Sequence, residues 1–158
     1  MRKDLLKFGA AAVVMLAFGA AFAMNGQTVT GSIAGGTAAR GKKARATVVL
    51  SIPSGLHTNS SRPGGEYAIA TSVKATSQSG VKIGSVSYPR GTNRKFEFAE
   101  KPLNVYEGRV PFGFDVTVPS TFKGNSVKVN VTVRYQACTN EVCYPPKSKA
   151  ITLTAKVI

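Results

Sequence analysis

Apolar and polar residues alternate with a period of two through most of the chain beyond residue 44, the pattern of strands that bury one face. The clearest run is Val127, Val129, Val131, Val133, Tyr135 and Ala137, with Lys128, Asn130, Thr132, Arg134 and Gln136 between them. Val48, Leu50 and Ile52 mark an earlier strand that Pro53-Ser54-Gly55 closes, and Tyr67, Ile69, Thr71 and Val73 mark another. Residues 81–89, the short run Lys95-Phe96-Glu97-Phe98, residues 109–118 and the alternation Ile151, Leu153, Ala155, Val157 add further strands. No segment after residue 24 sustains an i, i+3, i+4, i+7 apolar spacing, and Gly and Pro interrupt every run that begins. Seven or more short strands separated by turn residues predict an all-β, immunoglobulin-like antiparallel β-sandwich with no helix beyond about two turns. Residues 24–44, rich in Gly, Thr, Ala and Ser, read as a loose N-terminal arm with at most one edge strand, ahead of a single domain at 45–158.

The first residues change the picture of where the domain works. Arg2, Lys3 and Lys7 precede an apolar stretch at 8–20, and Ala21-Phe22-Ala23 places small residues at a processing site. This order predicts a signal peptide over residues 1–23, cleaved before Met24, and hence a periplasmic protein; a retained anchor helix is the alternative. No cysteine lies at the site to carry a lipid. The 135 residues that follow are enough for one hydrophobic core.

Those residues carry 18 Lys and Arg against 6 Asp and Glu. Such a balance invites nucleic acid or an anionic surface. The basic residues are scattered, however, no nucleic-acid motif is present, and export removes access to DNA, so no nucleic-acid partner is expected. The charge serves solubility, attraction to the membrane surface or steering toward an acidic partner. His57 is the lone histidine, with no carboxylate neighbour and no third ligand, so no metal or other cofactor is expected. Its sequence neighbours Ser54, Ser60 and Ser61 are turn residues and make no hydrolytic triad. Packing or capping is the expected role of His57, with assistance to proton transfer as the alternative.

The chemistry rests on two cysteines, Cys138 and Cys143, five positions apart in a compartment where disulfides persist. Parity along the valine strand puts Cys138 on its polar face. Thr139-Asn140-Glu141-Val142 forms a hairpin-type loop, across which the Cα atoms reach the ~5.5 Å separation that a disulfide needs. Pro145 and Pro146 have no N–H for a ladder, so pairing breaks off beside the sulfurs. Arg134, Lys147 and Lys149 would lower a nearby thiol pKa, and Glu141 would raise it. Closing so short a loop removes only about 2 kcal/mol of unfolded-state entropy. Spacing alone leaves both a redox pair and a stapling disulfide open.

The stretch Tyr135-Gln136-Ala137-Cys138, a short spacer, then Cys143-Tyr144-Pro145-Pro146-Lys147 resembles the active-site hairpin of the N-terminal periplasmic domain of the transmembrane thiol-disulfide interchange protein DsbD. Weaker likeness extends through residues 52–60, Tyr88-Pro89, Phe96-Glu97-Phe98 and Val105-Tyr106-Glu107-Gly108. The resemblance implies a dithiol that takes electrons from the membrane side and passes them to oxidised partners, thioredoxin-like or other periplasmic thiol-disulfide proteins. It implies that Cys143 meets the partner while Cys138 resolves, supported by Arg134, Tyr135, Gln136, Tyr144, Pro145, Pro146 and Lys147. An aromatic on the 95–98 connection, Phe98 or failing it Phe96, is then a candidate cap over the sulfurs, although alternation alone assigns both rings to the core. The spacer holds four residues where the best-known relatives have five. A reading from another class stands beside this one: a non-catalytic immunoglobulin-like interaction module with a structural disulfide.

Overall fold

The structure, a computed structural model, describes residues 26–78 and 80–158. The signal-peptide reading of residues 1–23 lies outside them. In chain order the strands are β1 (Thr28–Ile33), β2 (Thr37–Ala38), β3 (Lys43–Ser51), β4 (His57–Asn59), β5 (Ser72–Ser77) and β6 (Lys82–Ile83), then β7 (Thr92–Arg94), β8 (Leu103–Tyr106), β9 (Arg109–Thr117), β10 (Ser126–Tyr135), β11 (Ala137–Cys138) and β12 (Lys147–Val157). The helical content of the described residues is one 3-10 turn, Ala34–Gly36. Two sheets, β1-β3-β9-β6 and β2-β12-β10-β5, enclose the core, and a smaller third sheet, β11-β4-β8-β7, stands at one end. All pairings are antiparallel except the short one between β2 and β12. The immunoglobulin-like β-sandwich anticipated from the alternation is the fold observed.

The alternation explains the core directly. Val127, Val129, Val131, Val133 and Tyr135 of β10 bury against Val48 and Leu50 of β3 and Phe112, Phe114 and Val116 of β9, while Lys128, Asn130, Thr132 and Arg134 face solvent. Pro111 lies within β9, yet breaks nothing. Asp115 and Gly113 turn their peptide groups toward the 82–87 segment, and by the same parity Pro111 does too, at a point where that segment no longer pairs. A missing N–H is harmless on an unpaired side.

Four local expectations need correction. The N-terminal arm is not loose: all of β1 pairs with β3 as an edge strand, β2 adds to β12, and Ile33 is buried in the core. Gly31 allows this close approach, since a Cβ there would sit 2.6 Å from the Thr47 carbonyl oxygen. Tyr67 to Thr71 is no strand; Tyr67 is 89 % exposed, because the ladder of β10 with its neighbour ends at Arg134–Ser72 and offers no earlier partner. Residues 81–89 form only the two-residue β6. Gly84 bonds Asp115 at 2.8 Å and Ser87 bonds Gly113 at 2.7 Å, so three steps on one chain oppose two on the other, a bulge that ends the regular pairing. Lys95–Phe98 is a turn beyond β7, closed by Lys95 Nζ donating to the carbonyls of Ala99 and Glu100.

The third sheet is fastened to the sandwich by side chains. Tyr106 Oη donates to Pro89 O at 3.0 Å and accepts from the Ser61 N–H at 3.3 Å. Tyr88 Oη accepts from the Val73 N–H at 2.9 Å, while its ring meets Phe112 edge-on with centroids 5.6 Å apart.

Candidate functional site

Cys138 and Cys143 form the disulfide of the structure, with Cα atoms 4.0 Å apart. The backbone explains their closeness. They oppose each other in an isolated antiparallel bridge, flanked by Thr139 N–H to Val142 O at 2.8 Å and Tyr144 N–H to Ala137 O at 2.9 Å. The bonds lie on either side of the cysteines rather than between them. That is a non-hydrogen-bonded position, where opposed Cα atoms approach to about 4.5 Å and side chains come closest. The turn is tightened by Thr139, whose Oγ1 accepts from the N–H groups of Glu141 at 3.2 Å and Val142 at 3.1 Å.

The two sulfurs do not share one environment. Cys138 is wholly buried, whereas Cys143 is partly exposed between exposed Val142 and Tyr144. The expectation that Cys138 continues the polar face of the valine strand is therefore corrected. The register of β10 ends at Tyr135, and the chain steps across at Gln136 so that Ala137 and Cys138 pair with Thr58 and His57 of β4. Gln136 makes the step. Its Oε1 accepts from Asn59 Nδ2 at 3.0 Å and from the Ile69 N–H at 3.3 Å, tying β11 to β4 and to the 67–71 segment. After Tyr144 the two prolines interrupt pairing until Lys147 joins Tyr135 at the head of β12.

The same register puts His57 beside Cys138. Residues directly opposed on antiparallel strands point to one side with Cβ atoms about 4.5–5.5 Å apart, so Cys143, Cys138 and His57 form a row across three chain segments. His57 is 2 % exposed. Its ring stacks on Phe96 with centroids 4.3 Å apart, and Phe96 stacks on Phe98 at 5.2 Å. Phe96 is buried with Leu103 and Val105 in a small second core, while Phe98 is 43 % exposed. Beside this aromatic stack lies a cleft of about 290 Å³ lined by Arg94, Lys95, Phe96 and Glu97 on one side and by Asn140 and Glu141 of the cysteine loop on the other. The Phe96 loop and the disulfide hairpin thus face one another.

Burial holds the His57 pKa below its ordinary value of 6.5; Glu107 opposes this shift and Arg94 adds to it. Those two neighbours are themselves joined, Arg94 Nη1 to Glu107 Oε1, at 3.0 Å, so desolvation dominates. A base whose folded pKa is lowered takes up its proton more readily in the unfolded chain. Stability is then full above pH 6.5 and declines as pH falls below 6.5 toward the lowered folded value. His57→Phe keeps a stacking ring and is expected to remove this part of the acid slope. Chemical denaturation of both proteins between pH 7 and pH 5 measures it; parallel slopes contradict it.

The structure groups the anticipated residues unevenly. Cys138, Cys143, Gln136, Tyr144 and Pro145-Pro146 lie together at the hairpin. Tyr135 points into the sandwich core, where burial raises its pKa. Arg134 and Lys147 are exposed at the head of the β10–β12 ladder. The charges that line the cleft with the cysteine loop are instead Arg94, Lys95, Glu97 and Glu141. Sequence reasoning assigned His57 chiefly to packing or capping, without placing it beside Cys138, and passed over Arg94. Only the likeness of residues 52–60 to the resembling domain pointed toward His57, because a two-residue β11 has no alternation to reveal its partner.

The site is thus a disulfide at the end of a β-sandwich, between one buried and one partly exposed cysteine. The sequence model of the N-terminal region of the thiol:disulfide interchange protein DsbD matches residues 28–155, and the chain belongs to that family. Among solved structures, the N-terminal periplasmic domain of ScsB from Proteus mirabilis superposes with a TM-score of 0.55 at 15 % identity, covering 82 % of this chain and 46 % of that one. The reduced DsbD N-terminal domain from Neisseria meningitidis gives a TM-score of 0.48 at 17 % identity, covering 81 % and 86 %. The chain thus spans less than half of the ScsB domain. No curated protein sequence matches the chain.

Proposed function

We propose that the protein is a periplasmic thiol-disulfide exchange module that passes reducing equivalents to oxidised partner proteins through the Cys138/Cys143 dithiol. The observation that carries this reading is the asymmetry of the pair: Cys143 is partly exposed on an edge that Pro145 and Pro146 leave unpaired, and Cys138 is held behind it in a ladder. In the reduced module the Cys143 thiolate attacks one sulfur of a partner disulfide. A mixed disulfide forms and the partner's other sulfur leaves as thiolate. The Cys138 thiolate then attacks Cys143 Sγ, the mixed disulfide breaks, and the partner departs with two thiols. The module ends oxidised, having given two electrons. A dithiol donor on the membrane side restores it, and thioredoxin-like or other periplasmic thiol-disulfide proteins receive from it. Signal-directed export supplies the compartment.

The aromatic stack suits a lid. Phe96 is anchored in its small core, and the half-exposed Phe98 can swing aside for a docking protein while hindering small solvent thiols. Phe98→Ala is expected to speed oxidation of the reduced protein by a small disulfide severalfold and to leave stability nearly unchanged, as measured by stopped-flow thiol titration and denaturation. An unaltered rate assigns Phe98 to surface packing. The function itself is tested by mixing the reduced module with an oxidised thioredoxin-like periplasmic protein and following both redox states by thiol alkylation and mass. Stoichiometric transfer of reducing equivalents is expected; no transfer over hours removes the reading. The competing interaction module with an inert staple draws on the complete burial of Cys138.

A further inference from the structure

We infer that His57 is the proton acceptor for Cys138, turning the buried thiol into the thiolate that resolves the mixed disulfide. This rests on the exchange reading above, and it names a catalytic residue that reading lacks. The difficulty it answers is physical. Cys138 is fully buried, and a thiol in apolar surroundings holds its proton more tightly than one in water. Resolution nevertheless requires the thiolate, so a proton has to leave where solvent does not reach.

The register supplies the acceptor. His57 is the residue opposed to Cys138 on β4, on the flank away from Cys143. Its Nε2 is buried and has no hydrogen-bond partner in the oxidised protein. A buried polar atom left unpaired is unfavourable by about 1–3 kcal/mol, and reduction provides a partner for it, the Cys138 S–H. In the tautomer protonated on Nδ1, Nε2 accepts that proton, leaving imidazolium beside thiolate. Attack on Cys143 Sγ then consumes the thiolate, and the imidazolium releases its proton as the partner's thiolate departs. The ring is fixed for this by its stack on Phe96. The charged groups around it are Glu107 at the end of β8 and Arg94 of β7, which neutralise each other, together with Lys95, Glu97 and Glu141 at the cleft. Burial lowers the basicity of the imidazole but keeps it unprotonated at neutral pH, so the Nε2 lone pair is free to accept a proton.

Two measurements test the assignment, and they fail separately. The first is the NMR titration of His57 in the oxidised protein and in the protein reduced by a phosphine. Coupling predicts that reduction shifts the His57 titration, upward where the neighbouring sulfur is a thiolate. An identical titration in both states overturns the inference, whether or not the protein exchanges disulfides. The second uses oxidised glutathione as probe, with quenched mass spectrometry following decay of the Cys143–glutathione mixed disulfide against pH. General-base assistance contributes about 10²–10⁴-fold, so His57→Phe is expected to slow resolution at least about tenfold at pH 7, with the lost rate returning as pH rises through the thiol range. His57→Gln, which keeps a polar side chain without a base, is expected to behave alike. Rates within twofold of the unaltered protein for both variants, with unchanged pH profiles, overturn the inference. If the unaltered protein forms no mixed disulfide at all, the exchange reading falls and the catalytic role with it, even where the titration shows coupling.

Discussion

Cys138→Ala is expected to accumulate a covalent complex with a thioredoxin-like periplasmic partner, linked through Cys143 and released by reductant. Cys143→Ala is expected to accumulate at least about tenfold less. The expectation follows from the unequal surroundings of two sulfurs in one hairpin. Cys143 is partly exposed beside Tyr144 and two prolines, so a partner sulfur can approach along the line that displacement requires. Cys138 is wholly buried and paired to His57 of β4, whose ring stacks on Phe96, so a macromolecular thiol has no open approach to it. Alanine at 138 removes the resolving group and lets the mixed disulfide persist. Trapping is read on non-reducing gels with the partner's own second cysteine replaced. Equal trapping by both variants abolishes the division of roles.

A second large effect separates what holds the fold from what the cysteines do. Phe112→Ala is expected to destabilise the protein by about 3–5 kcal/mol, the range for removing a large ring from a packed core. Phe112 is fully buried and meets both Tyr88 and Tyr106 edge-on. Reducing the Cys138–Cys143 bond is expected to lower stability by only about 2 kcal/mol, because so short a loop had little entropy to lose. The reduced module is therefore expected to remain folded, as an electron carrier must. Urea unfolding of the three species ranks them; a reduced protein less stable than Phe112→Ala makes the disulfide a staple.

The parts of the molecule that could be read in the sequence are those where one physical rule acts alone. β9, β10 and the latter half of β12 each bury a single face, and a period of two reports it. The rule stops where a strand changes partner. Cys138 continues the parity of Lys128 and Arg134, yet it belongs to another sheet, because Gln136 diverts the chain by bonding Asn59 and Ile69. Those bonds span 77 and 67 residues of sequence, and no local pattern encodes them. The N-terminal arm was read as loose, with room for one edge strand, for a different reason: β1 has Gly31 at its closest approach to β3, and its burial is too slight to print an alternation. Phe96 and Phe98 alternate like strand residues, but the lysine that follows β7 closes a turn, so one ring is buried and the other stacks outside it. The pairing of His57 with Cys138 stayed hidden because β4 and β11 share only two paired positions.

Equilibrating the protein with defined thiol-disulfide buffers and measuring the Cys138–Cys143 reduction potential tests the central claim most directly. The exchange account predicts a value within about −120 to −270 mV, the span of proteins that trade disulfides. A value below about −300 mV, where structural disulfides lie, would contradict it.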